Sequence, residues 1–256
     1  MVTLVAVALG VGFLCGCCGI GGFLLIPALA YAVGMDIHTA MGTALFSFIF
    51  TGFSSIWLYQ RHGSIDWPVS LVLCLGALPS GFLGAMHKSL LSAPFLNLIL
   101  AAIIIFAGCN SIRPVGRSLQ LPMPRGKKAR LSVLVLIGAA VGYLAGLTGA
   151  GGPVLSIPVL MLLGFAPLAA VGASYAVQVA GAVSGSVGNA MYGALDLHTG
   201  LWVSVIQIAG VGAGVYVAHR LPTARLRLFL AVLCIVAGTY MAAEALFSVP
   251  LHSTIL

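Results

Sequence analysis

Two glycine-rich stretches, GIGGFLLIP at residues 19–27 and GAGGPVLSIP at residues 149–158, interrupt the two longest apolar segments of the chain. Those segments run over residues 3–33 and 132–164. As straight helices at about 1.5 Å per residue they would be roughly 47–50 Å long, against a bilayer hydrocarbon core of about 30 Å. The glycines therefore predict that each segment breaks near its middle, and that the chain turns there inside the membrane.

The remaining apolar segments are short enough for one membrane crossing each, which takes roughly 20 residues. They cover residues 39–59, 67–86, 92–111, 167–191, 198–218 and 226–247. Across the chain 61% of residues are hydrophobic and only 6% are charged. In soluble domains roughly 45–50% of residues are apolar and about 25% are charged. This composition excludes a secreted soluble domain, a nucleic-acid binder and a disordered protein. It predicts an all-α polytopic protein whose partner is the lipid bilayer.

The two halves of the chain repeat each other. Matching residues are always separated by the same number of positions, the number that separates Gly21 from Gly151. The matching positions are Gly21-Gly22 with Gly151-Gly152, Gly34 with Gly164, Gly42 with Gly172, Gly63 with Gly193, Asp66 with Asp196, and Gly108 with Gly238. We interpret this as an internal duplication. The predicted domains are a first transmembrane repeat over residues 1–112, a basic linker over 113–131, and a second repeat over 132–256.

The placement of the cations predicts how the repeats are oriented. Six of the eleven Lys and Arg residues lie in residues 113–130, which places this linker in the cytoplasm by the positive-inside rule. If each long segment crosses once, seven cations lie inside and four outside; if each turns back as a hairpin, ten lie inside and only Lys88 outside. The hairpin arrangement makes the repeats inverted and places both termini outside. A re-entrant hairpin and a pair of short crossings both return the chain to the side from which it entered. The two helices of each hairpin, at about 15 residues each, would reach only about 22–23 Å, less than the hydrocarbon core of about 30 Å, which favours the re-entrant form.

Each break starts a new half-helix, whose first N–H groups have no intrahelical acceptor and carry a partial positive charge. Irregular backbone is tolerated at membrane depth only where protein or water surrounds it. We therefore expect the two breaks to line one cavity, in which backbone N–H groups hold a small anion without Lys or Arg. The backbone positions predicted to bind it are Gly19, Gly21, Gly22, Phe23, Gly149, Gly151 and Gly152.

Polar side chains near the breaks are expected to complete this cavity. They are Ser47, Thr51, Thr148, Ser156, Gln178 and Asn189. For the hydroxyls the alternative is a hydrogen bond to the carbonyl of the preceding turn. Asp66 and Asp196 occupy equivalent turns, where each is either a helix N-cap or a proton-coupling group. We find no Cys or His spacing typical of a metal site, and predict no metal and no cofactor.

These motifs carry a family resemblance. The pattern G-x-G-G-x-x-x-x-P-x-L at residues 19–29, its copy with one extra residue at 149–160, and Gly-x-(Ile/Leu)-Asp at 63–66 and 193–196 resemble the TauE/SafE family of sulfite exporters, also called toluene-sulfonate uptake permeases. The resemblance covers nearly the whole chain.

The resemblance implies a carrier in the bacterial inner (plasma) membrane for sulfite, sulfonate, sulfoacetate or a similar sulfur oxyanion. Its implied mechanism is alternating access, in which one repeat rocks against the other around the bound anion. An anion channel with the same cavity is the alternative. The sequence has no HExxH or GxSxG motif, so we predict that it is not an enzyme. The sequence does not specify the coupled ion, the direction of transport or whether the protein forms a homo-oligomer.

The predicted topology can be tested with a reporter fused after Leu256. Alkaline phosphatase, which is active only outside the cytoplasm, should be active at this position, because an odd number of crossings per half places the C-terminus outside. The matched control is the same fusion after Lys128 in the linker, which should be inactive. An inactive C-terminal fusion with an active linker fusion would contradict the inverted arrangement.

Overall fold

The computed structural model describes residues 2–19, 25–87, 126–149, 152–191 and 195–247, together with residues 98, 101, 102, 105, 109, 112 and 124. Nine helices of eight or more residues lie in these continuous ranges. They are α1 Val2–Cys18, α2 Leu25–Val33, α3 Ile37–Arg61, α4 Trp67–His87, α5 Lys127–Thr148, α6 Pro153–Leu162, α7 Pro167–Met191, α8 Leu197–Arg220 and α9 Thr223–Phe247.

Five of the described helices are long and apolar enough to cross a membrane. They are His38–Arg61, Trp67–His87, Lys127–Thr148, Pro167–Met191 and Leu197–Arg220. This confirms the predicted all-helical polytopic membrane protein. The predicted crossing at 92–111 lies largely outside the described residues.

The first helix of each interrupted segment ends at a glycine with a left-handed backbone. Gly19 has a φ of +71° and Gly149 a φ of +68°, a conformation that favours glycine because it has no Cβ. The N–H of Gly19 donates to the Cys15 carbonyl at 2.8 Å, and that of Gly149 to the Ala145 carbonyl at 2.9 Å. Both helices therefore end with the same cap, at equivalent positions of the two halves.

The breaks fall near the middle of the two apolar segments, as predicted, because α1 ends at Cys18 and α5 at Thr148, but the helices on either side of each break are unequal in length. Helix α1 has 17 residues and α2 has 9, while α5 has 22 and α6 has 10. At about 1.5 Å per residue, α2 and α6 reach only about 14–15 Å, roughly half of the hydrocarbon core. Helix α5 begins at Lys127, within the stretch predicted as the basic linker. Its first cations are exposed, and long basic side chains allow a helix to continue past the apolar layer.

The duplication is visible in the helix boundaries. Helices α3 and α7 start and end at equivalent positions of the two halves. Helices α4 and α8 also start at equivalent positions. Two further left-handed glycines, Gly34 and Gly164, follow α2 and α6 at the same offset.

Helices α3 and α7 pack against each other in antiparallel directions. Leu45 of α3 fills the space beside Gly185 of α7, while Thr51 lies 3.3 Å from the Gln178 amide nitrogen. As residue numbers rise along α3, those of its contacts on α7 therefore fall. We call α3 and α7 the central pair.

Two glycine-lined contacts surround the central pair. Between α1 and α8, a Cβ built at Gly12 would lie 2.2 Å from the Gln207 carbonyl oxygen, and one at Gly214 would lie 2.1 Å from that of Phe13. Between α4 and α5, a Cβ at Gly138 would lie 2.0 Å from the Leu73 carbonyl oxygen. Backbones approach this closely only at glycine, as in other tightly packed membrane helices. We call these contacts the α1–α8 seam and the α4–α5 seam.

Aspartates cap three of the helices. Asp36 accepts hydrogen bonds from the His38 and Thr39 N–H groups at the start of α3. Asp66 accepts one from the Val69 N–H at 3.2 Å at the start of α4. These contacts satisfy N–H groups that a helix leaves without partners.

Asp196 caps α8 in the same way as Asp66 caps α4. It accepts from the His198 and Thr199 N–H groups and, at 2.8 Å, from the Thr199 hydroxyl. The Thr199 hydroxyl bond, with help from the backbone bonds, lowers the pKa of Asp196. Capping is thus the role that the geometry gives to both predicted aspartates.

Adding one methyl group to the α1–α8 seam should destabilise the protein. Gly214→Ala places a Cβ against the Phe13 carbonyl and the Cys17 N–H, so we expect a loss of about 1–3 kcal/mol and a lower thermal unfolding midpoint in detergent. The control is Gly212→Ala on the same helix, where nothing lies within 4 Å of the new Cβ. Equal midpoints for the two variants would contradict the close packing of the seam.

Removing the Asp196 carboxylate should cost about 1 kcal/mol of stability at pH 7. Because its pKa is lower in the folded than in the unfolded protein, this contribution is complete above the ordinary pKa of about 4 and is lost as pH falls further. The difference in unfolding midpoint between wild type and Asp196→Ala should therefore shrink below about pH 4. Asp196→Asn retains a good cap without a titrating group, so it should stay close to wild type at pH 7. An Asp196→Ala midpoint equal to wild type at pH 7 would refute the cap.

Candidate functional site

The two helix breaks meet inside the bundle. A Cβ built at Gly19, which follows the end of α1, would lie 2.6 Å from Pro153 Cβ and 3.0 Å from Ile157 Cδ1 of α6. Gly19 and Pro153 are both buried. The carbonyl end of one interrupted helix therefore contacts the N–H end of another.

Helix α6 begins at this contact without a side-chain cap. Gly152 is its N-cap residue and Pro153 its first residue, a position where the missing proline N–H costs nothing. The Gly152 carbonyl accepts from the Ser156 N–H at 3.0 Å and from its hydroxyl at 2.9 Å. The start of such a helix carries roughly half a positive charge. The other predicted backbone positions, Gly21, Gly22, Phe23 and Gly151, lie outside the described residues.

The backbone of the buried residue Gln178 lies beside this helix start. A Cβ at Gly152 would lie 3.4 Å from the Cα of Gln178, whose side chain is only 3% exposed. The Gln178 amide nitrogen donates to the Phe48 carbonyl at 2.9 Å and to the Thr51 hydroxyl at 3.3 Å. The structure thus brings Gly152, Gln178 and Thr51 together and links them across the central pair.

The predicted hydroxyls donate to carbonyls of their own helices, which is the alternative that the sequence left open. Ser47 donates to Ala44, Thr51 to Phe48, Thr148 to Leu144 and Ser156 to Gly152. Each of these hydroxyls is therefore bonded to the backbone of the preceding turn of its own helix.

Two predicted residues lie away from the Gly152–Gln178 contact. Asn189 follows Gln178 by about three helical turns on α7, which is roughly 16 Å, and its amide nitrogen donates to the Gly185 carbonyl at 3.0 Å. Gly149 packs against Met41 near the start of α3, where its Cβ would lie 2.6 Å from the Met41 carbonyl oxygen.

Two tyrosines reach the end of α1, and neither is among the predicted binding residues. The Tyr59 hydroxyl donates to the Gly16 carbonyl at 3.2 Å, and the Tyr175 hydroxyl donates to the carbonyls of Cys15 and Gly16. Both side chains are fully buried, with ring centroids 5.2 Å apart. A buried tyrosine hydroxyl needs a polar partner, which was the available signal, but the spacing along the chain does not reveal which partner.

A histidine pair lies behind Tyr59. The His219 ring is stacked on His62 at 4.1 Å and lies 4.7 Å from the Tyr59 ring. His219 Nε2 is 3.0 Å from the Ser64 hydroxyl, and its Nδ1 is 2.9 Å from the Val215 carbonyl oxygen. This cluster joins the ends of α3 and α8.

Comparison with known proteins places the chain in a family. Residues 4–241 match the family described as "Sulfite exporter TauE/SafE". Similar proteins include the probable membrane transporter protein YunE of Bacillus subtilis, at 26% identity over 89% of this chain and 92% of that protein. A probable membrane transporter protein of Methanocaldococcus jannaschii is 25% identical over 90% of this chain and 92% of that protein.

A probable membrane transporter protein of Xylella fastidiosa is 34% identical over 39% of this chain and 40% of that protein. No solved structure gives a significant match. The family and these relatives are named as transporters, not as enzymes. The chain therefore belongs to the TauE/SafE family and is a membrane transporter.

Proposed function

We propose that this protein is a secondary transporter of the bacterial inner membrane that carries small sulfur-containing oxyanions, such as sulfite, sulfonate or sulfoacetate. The observation that carries the proposal is the contact of Gly19 with Pro153. It supports a single site formed by both breaks, inside the bundle and beside the buried residue Gln178.

The charge distribution supports an anion held by backbone dipoles. The sequence has no Lys or Arg between residues 131 and 219, so no cation is available near Gly152 from α6 or α7. The start of α6 supplies positive potential instead. The predicted contribution of Gly21, Gly22 and Gly151 would come from N–H groups that glycine leaves accessible.

The course of the helices supports inverted repeats. Helices α3 and α7 occupy equivalent positions in the two halves and run antiparallel, as an inverted duplication requires. The end of α1 contacts Tyr59 in the last turns of α3, far from the start of α3 at Ile37, which supports a chain that turns back after α1. The short α2 and α6 favour re-entrant arms over full crossings. The basic linker would then be cytoplasmic and both termini outside.

The seams support moving bodies that do not coincide with the two repeats. The α1–α8 seam and the α4–α5 seam each join a helix of the first half to one of the second. We expect backbones in this close contact to move together, because tightly packed contacts transmit strain. We therefore propose alternating access in which α1 with α8 forms one body and α4 with α5 forms the other.

The substrate and mechanism can be tested with purified protein in proteoliposomes. The panel is sulfite, thiosulfate, sulfate, sulfoacetate and taurine, and we expect saturable uptake of at least one oxyanion. Preloading the vesicles with that oxyanion should accelerate uptake, because a carrier exchanges substrate and a channel does not. Uptake of the zwitterion taurine alone would refute the bare-anion site. Uptake that is not saturable and not accelerated would favour the anion channel.

A bulky residue at the start of α6 should stop transport without preventing insertion. In Gly152→Val the added methyl groups would press on the Gln178 backbone, and we expect at least about a tenfold loss of uptake, as a misfit of ~1.4 kcal/mol produces. Bulky substitution at Gly151 should act in the same way. Gly212→Val, where nothing lies within 4 Å of the new Cβ, is the control and should transport normally. Normal uptake by Gly152→Val at equal membrane abundance would refute the site.

A further inference from the structure

We propose that Tyr59 and Tyr175 are positioning residues that fix the carbonyl end of α1 and so preserve the positive potential of the anion site. The inference rests on the proposed function, because it concerns how that site holds an anion. We call the two side chains the tyrosine clamp.

The need for such a clamp follows from the contact between the breaks. A helix carries about half a positive charge at its N-terminus and half a negative charge at its C-terminus. Gly19 places the negative end of α1 against Pro153, at the positive end of α6. Uncovered carbonyls of α1 would therefore repel an anion bound at the start of α6.

The clamp donates to carbonyls in the last turn of α1. The Gly19 N–H donates to the Cys15 carbonyl. The Tyr175 hydroxyl donates to Cys15 and Gly16, and the Tyr59 hydroxyl lies 3.2 Å from the Gly16 and 3.4 Å from the Cys17 carbonyl oxygen. Each hydroxyl directs the positive end of its O–H bond toward the helix end. The three donors thus offset the negative potential where α1 approaches α6.

The clamp also fixes the position of the helix end. Tyr59 belongs to α3 and Tyr175 to α7, so α1 is held to both members of the central pair. The ring of Tyr59 lies between Tyr175 and His219, at centroid distances of 5.2 Å and 4.7 Å. This packing holds the ring so that its hydroxyl points at the end of α1.

The clamp is not duplicated in the second half. At the offset of the duplication, Tyr59 corresponds to Asn189 and Tyr175 to Leu45, and leucine has no donor. The equivalent helix end, at Gly149, packs on Met41 rather than on Pro153. The tyrosines therefore occur at the one described carbonyl end that touches the start of α6.

Tyrosine-to-phenylalanine variants test the clamp, because phenylalanine preserves the ring packing and removes only the hydroxyl. The variants are Tyr59→Phe, Tyr175→Phe and the double variant, with Tyr216→Phe as the control. Tyr216 is 54% exposed on α8 and its ring contacts Arg220, a contact that phenylalanine retains.

The readouts are KM and maximal rate for the transported oxyanion in proteoliposomes. We expect each single variant to raise KM about fivefold, the size of one lost hydrogen bond, and the double variant to raise it further. The maximal rate should stay within about twofold, because the site remains assembled and only its potential changes. The control should match wild type. Unchanged KM in the double variant, or a fall in maximal rate alone, would overturn the proposal.

A second readout does not depend on transport. Hydrogen exchange of peptides that span residues 12–19 should be faster in the clamp variants than in wild type and the Tyr216→Phe control, because the end of α1 loses its anchors. If wild type carries no oxyanion, the proposed function fails, while faster exchange would still support the clamp as an anchor. Unchanged exchange in the double variant would overturn the clamp.

Discussion

Every backbone N–H and carbonyl inside a membrane protein needs a hydrogen-bond partner from the protein or from enclosed water, and two broken helices make this the governing constraint here. The left-handed glycines Gly19 and Gly149 each return an N–H to the last turn of their helix. The hydroxyls of Tyr59 and Tyr175 reach further carbonyls at the first break. The glycine seams then allow the surrounding helices to approach closely enough to enclose both breaks.

Much of this arrangement could be predicted because it follows from residue type and spacing. Glycine at 19 and 149 determined where two helices end, and the aspartates at 66 and 196 marked where two others begin. The unequal arms could not be predicted, since apolar composition continues through the short helices without a length signal. The contact of Gly19 with Pro153 was expected only as a shared cavity. The contacts of the two tyrosine hydroxyls could not be predicted, because their acceptors are backbone carbonyls on another helix, which no side-chain pattern records.

The hydroxyls near the breaks illustrate a limit of sequence interpretation. Ser47, Thr51, Thr148 and Ser156 all donate to carbonyls in their own helices, so their presence near a break does not make them ligands. The long, buried amide of Gln178 behaves differently, because it reaches across to α3. These contacts favour the proposal that the candidate site is formed chiefly by helix ends, whose potential would depend on which carbonyls are covered.

The seams also bear on how the protein is made. The α1–α8 seam joins residues near 12 to residues near 210, so α1 enters the membrane long before its partner is synthesised. Until then its glycine face has only lipid beside it, and the broken segment behind it lacks the helices that enclose it. Contacts so distant in sequence form slowly, because the intervening chain must first be brought together. Final packing must therefore wait for the second half, and the nascent first half is the stage at which membrane chaperones and proteases would meet an unfinished protein.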